Sequence, residues 1–267
     1  MSNDLILPGD FGFGDATVFE QAVAAVQASE LTIIGMTTDL SGSVSGWVSE
    51  LRQMKLGIVE ACQMSPHKYN LIMRATGFSD KLIREFHPFK PLMEVDPAVD
   101  YPMPLPIGGM TNLFDACVEG LNALGAMGAT AFNAEKFSAS NAAFFATTDG
   151  YNNSSSHKAK DVAAVIKRIK HGEIFSELTT TLIGINSEFD PHASKAEQAR
   201  QTAAFKQYLE GIRQEMGFDA VLMTEDASPK SLAKLGGWIS KSISTVSQNR
   251  QSGGASAAVA ASAKATF

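Results

Sequence analysis

At 267 residues, with 45% hydrophobic and 19% charged residues, the chain has an ordinary globular composition and is long enough for a substantial core. Its formal charge of −6 argues against broad nucleic-acid binding, which needs clustered Lys and Arg to neutralise phosphates. Cys62 and Cys117 have no motif spacing, which argues against a disulfide framework or a cysteine-held zinc ion.

The chain starts Met1-Ser2-Asn3-Asp4, without the basic start and apolar run of a signal peptide. No stretch approaches the ~20 apolar residues of a membrane span. These features predict a cytoplasmic protein with neither membrane nor nucleic acid as partner. Residues 1–29 read as an N-terminal extension: a Gly-rich segment from Pro8 to Gly14, then an alanine-rich helix with Asp15 as N-cap. Gly9, Gly12 and Gly14 stand in the order G-x-x-G-x-G, which is not the dinucleotide-binding order.

From Leu31, apolar runs alternate with helical patterns. Leu31 to Met36 predicts a buried strand, and Trp47, Leu51, Met54, Ile58 and Cys62 then recur at helical spacing. Tyr69 to Phe78 predicts a second strand. After a turn at Ser79 to Lys81, Leu82 to Glu94 predicts an extended return, where Pro88 and Pro91 suit a sheet edge. A Pro-rich connection, Pro97 to Pro106, leads to Gly108-Gly109 and a helix predicted over Asn112 to Leu124. Asn141 to Ala146 is the next strand, followed by a helix over Lys158 to Lys170 whose basic residues form a solvated face. A strand at Thr180 to Ile185, a helix marked by Phe205, Tyr208, Leu209, Ile212 and Met216, and a strand at Ala220 to Met223 complete the alternation. The last helix starts near Ser231, and the Ser/Ala/Gly-rich tail, residues 248–267, is expected to be disordered. The predicted fold over residues 30–247 is α/β: a doubly wound, mostly parallel sheet with one antiparallel edge strand and helices on both faces.

Three segments carry candidate chemistry. Asp39-Leu40-Ser41-Gly42-Ser43 places one carboxylate and two hydroxyls where the first strand gives way to a helix expected near Ser45. Thr111 follows Gly108-Gly109-Met110, and Asp149 follows the fourth strand in Thr147-Thr148-Asp149-Gly150. All are hard oxygen donors, suited to Mg²⁺ or Mn²⁺ rather than zinc. In an open parallel sheet, sites lie beyond the carboxyl ends of the strands where the strand order reverses. With the order 3-2-1-4-5-6, the first and fourth strands are neighbours, so Asp39 and Asp149 would meet at solvent-facing strand ends with Thr111 entering from the intervening loop. Each residue also has a local reading. Ser41, Ser43 and Thr111 can be turn or cap residues, and Asp149 can belong to an Asp-Gly turn.

With D-x-S-x-S, a later Thr and a still later Asp in this order, the chain resembles the von Willebrand factor A (VWA) domain family from about Leu31 to Ser247. The resemblance implies a metal-ion-dependent adhesion site (MIDAS) of Asp39, Ser41, Ser43, Thr111 and Asp149 holding Mg²⁺ or Mn²⁺. It also implies an open coordination position that the Asp or Glu carboxylate of a protein partner would fill. Intracellular relatives often work beside AAA+ ATPases or in stress responses, so such a partner is the expectation the family adds. Asn152 and Asn153 would sit at the rim or serve as turn residues. Two other classes compete. A Mg²⁺-dependent phosphohydrolase would want D-x-D after the first strand, where this chain has Ser41; a scaffold would use metal-independent surfaces and leave the site incidental.

Overall fold

The computed structural model describes residues 11–12, 17–80, 82–186, 194–224 and 226–248. Its six strands are β1 (Glu30–Asp39), β2 (Leu71–Ser79), β3 (Leu82–Pro91), β4 (Ala139–Thr148), β5 (Glu177–Ile185) and β6 (Ala220–Thr224). They form one sheet in the order β3-β2-β1-β4-β5-β6. Every pairing is parallel except β2 with β3, which is antiparallel. The expected α/β architecture and strand order are therefore present.

Among the described residues the α-helices are α1 (Thr17–Ala25), α2 (Val48–Gln63), α3 (Pro97–Asp100), α4 (Leu113–Asn133), α5 (Ala159–His171), α6 (Lys195–Met216) and α7 (Pro229–Gln248), and the longer ones cover the two faces of the sheet. Strand side chains alternate between faces, so β1 serves two cores. Leu31 and Ile33 pack with α1, α4, α5 and α6, whereas Ile34 and Met36 pack with α2 and α7. Burial on both faces explains why the Leu31–Met36 stretch of β1 reads as an apolar run broken only by Thr32 and Gly35. Cys62 and Cys117 are buried free thiols on these helix faces, behaving as small hydrophobes.

Two helices are longer than the periodicity predicts. Beyond Leu124, α4 runs on to Asn133 through a Gly- and Ala-rich stretch that has no bulky stripe to betray a helix. Its small residues admit aromatic rings: a Cβ on Gly125 or Gly128 would stand 2.5 Å from Phe11 or 2.2 Å from Phe175. Helix α6 starts at Lys195, well before Phe205, because Ser194 accepts a hydrogen bond from the Glu197 amide at 3.2 Å and caps a polar first turn. The described part of the N-terminal segment joins the core. Phe19 meets Phe89 edge-on at 6.0 Å, and the Lys136 ammonium donates to the carbonyls of Val23, Ala24 and Val26 at the end of α1. Asp15, Gly9 and Gly14 lie outside the described residues, as does the tail beyond Gln248.

One helix residue defies its environment. Lys55 of α2 is 3% exposed, and its ammonium has no hydrogen-bond partner among the described residues. It lies 4.1 Å from the centroid of the Phe86 ring and 5.7 Å from that of Tyr101. Burial pulls its pKa down to about 7. Beside it, the buried His87 ring shares a 3.0 Å hydrogen bond with the Tyr101 hydroxyl, and burial lowers the His87 pKa to about 4.

Candidate metal centre

Strands β1 and β4 run side by side in register, with Thr38 opposite Thr147, so Asp39 and Thr148 end level with each other. The chain leaves β1 towards α2 on one face and β4 towards α5 on the other, which makes this edge the switch point of the sheet. Residues 110 positions apart are thereby brought together.

The two serines and two aspartates form one hydrogen-bonded group. Asp39 Oδ1 accepts from the Ser41 amide at 2.9 Å, and Asp39 Oδ2 accepts from the Thr148 hydroxyl at 2.8 Å. The Ser41 and Ser43 hydroxyl oxygens lie 3.1 Å apart, and the Ser43 hydroxyl donates to Asp149 Oδ1 at 2.8 Å. Thr111 joins through its loop. The Gly42 amide donates to the Gly109 carbonyl at 3.0 Å, and the Gly108 amide donates to the Leu40 carbonyl at 2.9 Å. A Cβ built on Gly150 would stand 4.0 Å from Thr111 Oγ1, so that hydroxyl borders the residue after Asp149. The connection is held by Gly109 at φ +84, the left-handed region that favours glycine.

The cap readings of these residues do not describe their side chains. Ser41 holds the N-cap position of a 3₁₀ turn, Gly42–Gly46, yet its hydroxyl makes no capping bond. At α4 the N-cap position falls to Asn112, not Thr111, and its side chain makes no cap either. The Ser155 hydroxyl takes that role, accepting from the Phe114 amide at 3.0 Å and the Asp115 amide at 3.4 Å.

Two expectations about the surroundings need correction. Asp39 and Asp149 are not solvent-facing: they are 1% and 3% exposed, and Ser41 and Thr111 are buried with them. The loops bearing Gly109 and Asn153 fold over the strand ends, leaving Ser43 as the exposed member. Nor does a helix begin near Ser45, because the 3₁₀ turn intervenes and α2 begins only at Val48. The helix dipole is therefore set further from the carboxylates than a helix at Ser45 would put it.

Burial raises the Asp39 pKa, opposed by hydrogen bonds from Ser41, Thr148 and the Asp149 backbone. Its carboxylate is thus a buried anion held by neutral donors, the condition that a bound cation relieves. Among the described residues no group of three or more His, Cys, Asp or Glu side chains is arranged to hold a metal ion. The donor set here is two carboxylates and three hydroxyls, which fits a hard cation and not a zinc-type nitrogen and sulfur cage.

Supporting residues come from further along the chain. Asn153 Oδ1 accepts from the Thr111 amide at 2.8 Å, while the Asn153 and Ser154 amides both donate to the Thr111 carbonyl. Tyr208 of α6 accepts from the Asn152 amide at 2.7 Å and packs on Tyr151, whose ring centroid lies 4.3 Å away. Thr148 was legible as the residue before Asp149 at the strand end. Tyr208 was not, since on its helix it reads only as one more member of an apolar stripe.

No family model and no curated protein matches the chain. Solved structures with a similar fold include a variant of the PilB minor pilin from Streptococcus sanguinis: 14% identity, 82% of this chain and 62% of that one covered, TM-score 0.54. Another is the pilus adhesin SpaC from Lactobacillus rhamnosus GG in an open conformation: 15% identity, 82% and 30% covered, TM-score 0.53. A third is proximal thread matrix protein 1 from the mussel byssus with a zinc-occupied MIDAS motif: 16% identity, 82% and 47% covered, TM-score 0.49. The chain spans less than two thirds of the length of each. The expected cytoplasmic setting is contradicted by this comparison, since the similar structures are those of a minor pilin and a pilus adhesin. With the pilin and the adhesin the chain shares its overall fold; its own sheet is mostly parallel with one antiparallel edge pair, as the α/β expectation had it.

Proposed function

We propose that the chain is a protein-interaction module whose docking centre is a divalent cation, Mg²⁺ or Mn²⁺, held by Asp39, Ser41, Ser43, Thr111 and Asp149. The observation that carries this reading is the bridge made by Ser43, which stands 3.1 Å from Ser41 and donates to Asp149 across 106 residues of sequence. Bound there, the cation would supply a Lewis-acidic position for a partner's Asp or Glu carboxylate. The chain's own residues prepare that position. Thr148 and the Ser41 amide orient Asp39, Asn153 fixes the Thr111 backbone, and Ser43 alone opens to solvent.

Only two of the five donors are charged, so they no more than balance the divalent cation, and five donors fall one short of the octahedron that Mg²⁺ requires, a position that a partner's carboxylate can take. Ser41 in place of a second acid after β1 supports binding rather than phosphoryl chemistry. The pilin and adhesin likenesses support a partner met at a surface, more than the AAA+ ATPase or stress-response protein that the family resemblance suggested.

The test is affinity capture from surface and secreted fractions in Mg²⁺, in EDTA, and with Asp39→Asn. Retention that needs both the metal and Asp39 supports metal-mediated docking. Equal retention in all three moves the function to a metal-independent surface.

A further inference from the structure

The three loops that meet at the metal centre carry no charged side chain beyond its two aspartates. From Ser41 to Trp47, from Tyr101 to Phe114 and from Gly150 to Ser156 there is no Asp, Glu, Lys, Arg or His, in a chain whose charged fraction is 19%. Backbone bonds join these loops into one surface: the Gly42 amide donates to the Gly109 carbonyl, and the Asn153 and Ser154 amides donate to the Thr111 carbonyl. Charged residues are the usual occupants of exposed positions, so their absence here is more informative than any single exposed apolar residue. The cores of protein interfaces show the same depletion and are enriched in Tyr and Met.

Two large side chains stand on this surface within two residues of the proposed ligands. Met110, next to Thr111, is 51% exposed, and Tyr151, two residues after Asp149, is 46% exposed. They come from separate loops to one place, because a Cβ on Gly150 would stand 4.0 Å from the Thr111 hydroxyl oxygen. The Met110 carbonyl accepts from the Asp80 amide at 2.7 Å, so its backbone is fixed while its thioether chain adapts. The Tyr151 ring leans on Tyr208, with 4.3 Å between centroids, and meets Phe205 edge-on at 6.2 Å. It therefore offers apolar area at little entropic cost. Asp80, the acid of the adjoining β2–β3 turn, sets its carboxylate against the Gly109 backbone.

We infer that the acid which docks at the metal is carried on an otherwise uncharged, apolar segment of the partner, with an aliphatic or aromatic side chain beside it resting on Met110 and Tyr151; the inference rests on the docking centre proposed above. A Lys or Glu next to the acid would lose water against these two side chains and find no countercharge in the three loops. An aliphatic neighbour would instead remove apolar surface from water on both sides of the contact. The cation would then supply affinity for any carboxylate, and the neutral surface the choice among carboxylates.

The test uses the full chain and three peptides, acetyl-Leu-Asp-Leu amide, acetyl-Ser-Asp-Ser amide and acetyl-Lys-Asp-Lys amide. Each is titrated in Mg²⁺ and in EDTA while the Met110 methyl and Tyr151 ring signals are followed by NMR. With Mg²⁺ the leucine peptide should bind about tenfold or more tighter than the other two, and Met110→Ser or Tyr151→Ser should remove most of that preference. Equal affinity for the three, or no saturable shift from any of them at millimolar concentration, overturns the inference. A leucine preference unchanged in EDTA upholds the apolar contact and overturns the metal reading alone. Mg²⁺-dependent self-association of the peptide-free chain overturns the inference in favour of a second copy as occupant.

Discussion

Replacing Lys55 by methionine should make the protein more stable, and by an amount that depends on pH in a defined way. The pKa of Lys55 falls from 10.5 to about 7 on burial, which at 1.36 kcal/mol per pH unit corresponds to about 5 kcal/mol held against the fold. Whatever the ammonium gains from the Phe86 ring, whose centroid is 4.1 Å away, lessens this cost and raises the folded pKa together, because the two are one quantity. Methionine fills a similar volume without a charge, so Lys55→Met should gain about 3–5 kcal/mol near neutral pH. The sign follows from proton counting. Between the folded value near 7 and the unfolded 10.5, the unfolded chain binds more protons, so wild-type stability gains from rising pH at this residue. Below that window the penalty is constant, and above 10.5 it vanishes.

The advantage of Lys55→Met should therefore be greatest at about pH 7 and shrink by up to about 1.4 kcal/mol per pH unit as the pH climbs towards 10.5. Urea denaturation of both proteins at pH 7, 8, 9 and 10 measures this, and taking their difference removes every titration they share. Parallel stability curves, or a variant less stable at neutral pH, would refute the reasoning and show that Lys55 is solvated or paired in the folded protein.

Further outcomes follow from the metal centre and the cores. Asp39→Ala should cost about 1–3 kcal/mol, because the Ser41 amide and Thr148 hydroxyl lose their acceptor; Asp39→Asn should cost less and still lose the response to Mg²⁺. In wild type, Mg²⁺ at a hundred times Kd should add about 2.7 kcal/mol, read as a rise in melting temperature; no rise with Mg²⁺ or Mn²⁺ would count against the site. Gly109→Ala should destabilise by about 1–2 kcal/mol or more and weaken Mg²⁺ binding, since a Cβ meets Asp80 and φ +84 disfavours alanine; calorimetry that finds unchanged metal affinity would break the link to the Thr111 loop. Burial pushes the Cys62 thiol up to about 11 and the Cys117 thiol higher still, so neither should react with a thiol reagent at pH 8 until the chain unfolds. Rapid labelling of the native protein would contradict that placement.

The sheet was legible because its strands are buried on both faces and announce themselves as apolar runs, and because chain alternation restricts the strand order. The site was legible where chemistry is local: Asp39, Ser41 and Ser43 lie within five residues, and the switch point at β1 and β4 says where Asp149 must come. The second half of α4 was hidden because glycine and alanine carry no periodicity, their spacing being set by the rings of Phe11 and Phe175 that settle on them. Burial of the two aspartates was hidden as well, since it depends on loops whose positions are fixed by backbone bonds such as Gly42 to Gly109 and Asn153 to Thr111. Lys55 escaped for a related reason. A lone lysine in a helix carries no signal until packing shows what surrounds it.

The two margins of the sheet bear on how the molecule behaves at high concentration. One margin is β3, where Pro88 and Pro91 lack the amide hydrogens that a recruited strand would bind, and where the register with β2 slips on either side of Ala75. The opposite margin, β6, is only five residues long. Neither offers a long, flat template for a second copy to add a strand, so cross-chain sheet growth is discouraged at both ends. Copies crowded together would then stay apart, and each could engage others through its loops without polymerising through its backbone.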